Sequence, residues 1–75
     1  MSNMTESEKV IAFVSFCIEE YKSQHEMDGR KVAAMFEKFN VTDYLMEHYD
    51  VLHSMSREAI LDDIAQFIAN RSRKS

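Results

Sequence analysis

The side chains most able to do chemistry gather between Asn40 and Ser56, in the stretch "NVTDYLMEHYDVLHSMS". Two tyrosines, two histidines and three acids stand there among apolar residues, with no glycine or proline. A metal site would need several of them to converge. His48 and His53 are five residues apart, about 140° around a helix, whereas helical zinc motifs space their histidines at i and i+4. Asp50 or the pair Asp62–Asp63 completes such a site only if tertiary folding brings it in. The plainer reading has His53 capping a helix end or bonding a carboxylate across the fold, with Tyr49, Asp50 and His53 fixing a turn. Cys17 with a distant histidine would suit nucleophilic catalysis. It falls on an apolar helix face, however, where cysteine usually serves as a small buried hydrophobe. No serine-hydrolase motif occurs, and Gly29, the sole glycine, cannot form a phosphate-binding loop.

The elements that must hold these residues are helices. With 75 residues, 45% of them hydrophobic, one glycine and no proline, the chain has few means of making the tight turns of a β fold. Four helical segments are expected, at approximately 6–24, 28–39, 42–53 and 56–71. Thr5-x-x-Glu8 reads as a capping box for the first. Val10, Ile11, Phe13, Val14, Cys17, Ile18 and Tyr21 then share an arc of roughly 160°. Asp28 caps the second segment, where Val32, Met35, Phe36 and Phe39 recur at i, i+3, i+4 and i+7. Asn40 suits a left-handed C-terminal position. Thr42 is the expected cap of the third segment, with Leu45, Tyr49 and Leu52 on one face. Ser56 caps the fourth, whose stripe is Ile60, Leu61, Ile64, Phe67 and Ile68. Met27 with Val32, and Met55 with Ile60, read as hydrophobic staples. The fold class is therefore all-α, a compact bundle in one domain over 1–75, with short flexible ends at 1–4 and 72–75.

Charge narrows the partners. The net charge is −4, but residues 1–70 carry thirteen acids against six bases. An acidic body repels phosphate backbones, which disfavours nucleic acid, and suits basic protein surfaces. The start "MSNMTESEKV" lacks the basic and apolar regions of a signal peptide, and no apolar run approaches the ~20 residues that span a bilayer. A cytoplasmic protein without membrane contact is expected. Phe16 is the one large residue that breaks the pattern of the first helix, projecting between the directions of Glu19 and Glu20. Either that helix is buried on two sides, or Phe16 is an aromatic anchor rimmed by charge at an interface.

The segments "FCIEEYK", "YDVLH" from Tyr49 to His53, and "ILDDIAQFI" from Ile60 to Ile68 carry a resemblance. Over about residues 10–71 the chain resembles short bacterial proteins grouped as domain-of-unknown-function family three-seven-nine-one. Genes of that family often lie beside one for an ADP-ribosyltransferase-like protein. The resemblance thus implies a toxin–antitoxin-like or enzyme–regulator pairing. With no catalytic signature in the residues, a non-enzymatic, antitoxin-like regulator of such a partner, without a cofactor, is expected. The partner-binding candidates are Phe16, Glu19, Glu20, Tyr49 and Asp50. The alternatives are a homodimeric structural or scaffold protein and, weaker, a metal-dependent enzyme.

Overall fold

The computed structural model describes residues 4–74. They form five helices: α1 (Glu6–His25), α2 (Gly29–Lys38), α3 (Val41–Glu47), α4 (Tyr49–Leu52) and α5 (Arg57–Lys74). The all-α class and the bundle expected from the sequence are what the structure shows. Of the expected chain ends, 72–74 continue α5 and Met4 lies outside any helix, while 1–3 and 75 lie outside the described residues. Among the described residues, no helix is long and apolar enough to cross a membrane.

The helix ends follow local chemistry. Thr5 Oγ1 accepts from the Glu8 backbone N–H at 3.2 Å, and the Glu8 carboxylate accepts from the Thr5 N–H at 2.8 Å. That closes the capping box and holds the Glu8 pKa below the usual carboxylate range. α1 stops at Glu26, which takes a left-handed conformation (φ 50°), so that the next N–H, of Met27, reaches back to the Lys22 carbonyl at 3.0 Å. Asp28 accepts from the Arg30 N–H at 2.8 Å and starts α2. Asn40 is left-handed at φ 60°, as its type allows. Ser56 Oγ accepts from the Ala59 N–H at 3.2 Å at the head of α5.

Two expectations need correction. The segment 42–53 is not one helix capped by Thr42. α3 starts at Val41, directly after the left-handed Asn40 and with no side-chain cap, and the backbone bends at His48 (φ −106°, ψ 23°) before α4. The bend keeps Leu45 and Leu52 in the core while the Tyr49 ring meets Phe13 of α1 edge-on, at 5.4 Å. The second correction concerns α1. Of its wide apolar arc only Phe13, Cys17 and Tyr21 are buried, and Ile11 is 63% exposed.

The core assembles Phe13, Cys17 and Tyr21 with Val32 and Phe36 of α2, Val41 and Leu45 of α3, Leu52, and Ile60, Leu61 and Ile64 of α5. Met27, Met35 and Met55 pack against it from the edges. Phe36 is fully enclosed and meets Tyr21 edge-to-face at 5.5 Å. Burying a side chain of this size contributes about 1.5–3 kcal/mol, a large share of the stability of so small a domain. At the far end Arg71 lies over the Phe67 ring, 4.8 Å from its centroid, a favourable place for a cation in the last turns of a helix.

Gly29 opens α2 without a positive φ, and a Cβ there would touch only the flexible Lys22 Cδ, at 3.4 Å. Gly29→Ala is expected to stabilise the fold by about 0.4–1 kcal/mol in urea unfolding, because it narrows the unfolded ensemble.

Candidate functional site

Helix geometry places Phe16 one turn beyond Phe13, on the flank of α1 that faces the α4–α5 turn. Phe16 is 43% exposed and lines an open groove with Tyr49, His53 and Met55. The groove has a built wall. Tyr49 is held edge-on by Phe13 and stacks on His53, with centroids 4.4 Å apart and planes 7° from parallel. His53 Nδ1 lies 2.7 Å from the Tyr49 carbonyl. A carbonyl only accepts, so Nδ1 carries the proton, and the ring caps the end of α4.

The charges around this groove differ from the expected acidic rim. Its charged lining is Lys9 and Arg57. The Glu20 carboxylate accepts from Arg57 Nε, tying α1 to the first residue of α5 and raising the guanidinium pKa further. Glu19 is exposed and pairs with Lys22 at 3.4 Å, while Asp50 is exposed on α4. The structure thus brings Phe16 and Tyr49 together and leaves Glu19, Glu20 and Asp50 outside the groove's lining.

The opposite flank of α1 carries a second apolar surface, which its periodicity alone does not mark as exposed. About 100 to 160° round from Phe13 stand Val14 and Ile18, half-buried against the core, and the exposed Ile11, and Met46 of α3, 50% exposed, lines the same surface as Val10 and Ile11. The signal was present in the sequence: an arc of 160° exceeds the ~100° stripe that a surface helix ordinarily buries.

The remaining titratable groups have structural settings. His48 packs against the Tyr44 ring at 4.9 Å, with Glu47 3.9 Å away. Tyr44 stacks on Phe67 and donates its hydroxyl to Asp63 Oδ2 at 2.6 Å, joining α3 to α5. Cys17 is 1% exposed, and burial pushes its thiol up to about 12, so it is protonated and shielded at neutral pH. Among the described residues no three His, Cys, Asp or Glu side chains form a group that could hold a metal.

These features define a small all-α domain whose first helix is buried along one stripe and leaves Phe16 on one side of it and Ile11 on the other exposed. The family described as "Protein of unknown function (DUF3791)" matches over residues 12–71, and the chain belongs to it. No curated protein and no solved structure matches the chain.

The Tyr44 phenol is pushed up to about 12, first by its hydrogen bond to Asp63 and then by burial. The bonded form is the protonated one, so its contribution is complete below the phenol's ordinary value of 10.0 and is lost as pH rises from there through about 12. Stability measured across that window is expected to fall less steeply in Tyr44→Phe, and absorbance at 295 nm should show one fewer late-titrating phenol. An unchanged alkaline profile would exclude the Tyr44–Asp63 bond.

Proposed function

We propose that the chain is a small, acidic, non-enzymatic protein-binding module, and that the Phe16 groove receives an apolar side chain of a partner protein. The observation that supports this is a large aromatic left 43% exposed above a wall of stacked rings. Half-exposed aromatics in built grooves are frequent binding anchors. The partner implied by the family resemblance is an ADP-ribosyltransferase-like protein in a bacterial cytoplasm. Regulation would be steric and antitoxin-like: the domain covers part of the partner, and its net negative charge steers encounter with a basic surface. Lys9, which lines the groove and is in no ion pair among the described residues, adds a local preference for a carboxylate beside the anchoring side chain.

Purification of the tagged protein from its own host, with mass spectrometry of what accompanies it, tests the reading. Stoichiometric recovery of a transferase-like protein is expected. Phe16→Ala should weaken that complex about 30-fold or more, as loss of an anchor does, with unchanged helicity by circular dichroism. Unfolding of Phe16→Ala would make Phe16 a core residue. A stable homodimer abolished by the same change would assign the groove to self-association instead.

A further inference from the structure

The uncovered flank of α1 is a second surface, separate from the Phe16 groove and independent of the reading above. Three shallow depressions share residues along it. Val10, Ile11 and Met46 link the first two, and Val14 and Thr42 link the second to the third, which continues to Ile18 and Ala33. Together they form one strip between α1 and the α2–α3 corner. From Glu6 to Ile18 it extends about 18 Å at 1.5 Å per residue, the length of three helical turns. Its floor includes the two large side chains Ile11 and Met46, which are 63% and 50% exposed. Contiguous exposed apolar surface rimmed by polar residues marks interaction sites.

The rim has one sign. Glu6 lines one end of the strip and Glu37 and Asp43 the other, and no lysine, arginine or histidine lines any of the three depressions. None of these acids is in an ion pair among the described residues. Glu6 and Asp43 sit in the first turns of α1 and α3, where the helix dipole favours an acid. Glu37 has no such reason. It stands in the last turn of α2, where the dipole disfavours an acid.

We infer that this strip docks an amphipathic helix of a partner, about three turns long, with an apolar seam on Ile11, Val14 and Met46 and lysines or arginines flanking that seam. Charge complementarity selects this occupant. A second copy laid face to face would set Glu6, Glu37 and Asp43 against their own counterparts in an isologous contact, and like charges across an interface are strongly disfavoured. A basic helix instead meets carboxylates at both ends of an apolar trough, the helix-in-groove mode of recognition.

The probe is a synthetic 14-residue helical peptide with leucines at i, i+3, i+4, i+7 and i+11 and lysines flanking them. Its controls are the same peptide with glutamates in place of the lysines, and a scrambled version. Titration into isotope-labelled full chain at low ionic strength should give saturable amide shifts at Ile11, Val14, Glu37, Asp43 and Met46, and none at Phe16 or Tyr49. The glutamate peptide should bind at least tenfold more weakly. Ile11→Ser and the pair Glu37→Gln with Asp43→Asn should each lower affinity tenfold or more without changing the far-ultraviolet spectrum. Phe16→Ala should leave peptide affinity unchanged, so the strip and the Phe16 groove fail or succeed separately. Absence of saturable shifts, equal binding of the glutamate peptide, or shifts centred on Phe16 would overturn the proposal. So would a dimer in sedimentation that Ile11→Ser dissociates, which would give the strip to a second copy.

Discussion

Everything in this fold depends on the burial of one stripe of α1 (Phe13, Cys17 and Tyr21) against α2, α3 and α5. α1 has 20 residues and is about 30 Å long. Its companions have 10, 7, 4 and 18 residues, and the whole domain measures 44 × 23 × 21 Å. So little material cannot enclose a helix that is apolar over 160°. The core therefore closes around the stripe that Phe36, Leu45 and Ile64 can reach, and the two flanks stay open. A small chain buries a smaller fraction of its surface than a large one. Here the shortfall is concentrated along one helix.

The cross-links around that stripe are polar and sit at the edges. Tyr44 bonds Asp63 between α3 and α5, and Glu20 pairs with Arg57 between α1 and α5. The first is half-buried and short enough to matter energetically. The second is largely exposed, where ion pairs contribute little to stability. Its effect is positional: it fixes Arg57 at the side of the Phe16 groove and takes Glu20 out of play as a free charge. Among the described residues the groove is thus left with Lys9 as its unpaired charge, whereas the strip is rimmed by acids.

Much of this was legible in the residues. The capping box at Thr5 and Glu8, the Asp28 and Ser56 caps and the left-handed Asn40 depend on local chemistry, which a sequence shows directly. So does the 3.6-residue period of α2 and α5. The break at His48 was not legible, because "YLMEHYDVL" has no glycine or proline, and the contact that accompanies it, Tyr49 on Phe13, is long-range. Ile11 shows the same limit. Periodicity says which residues share a face, but not how far neighbouring helices extend to cover it. Phe16 was singled out because it broke the pattern. Ile11 and Met46 were passed over because they obeyed it or stood alone. Glu19 and Glu20 stand three and four residues beyond Phe16, on its side of α1 as expected, but they pair with Lys22 and Arg57 and neither lines the groove.

In the free protein, α1 leaves Ile11 and Phe16 exposed on either side of its buried stripe. Solvent paramagnetic relaxation on methyl-labelled protein tests it directly, with a soluble gadolinium chelate at concentrations where sedimentation shows one species. Strong enhancement is expected at the Ile11 and Met46 methyl groups and little at Val32, Leu45 and Ile64, with the Phe16 ring protons intermediate. Protection of Ile11 and Met46 to the level of Val32 would contradict it, since the flank would then already be covered in the free protein.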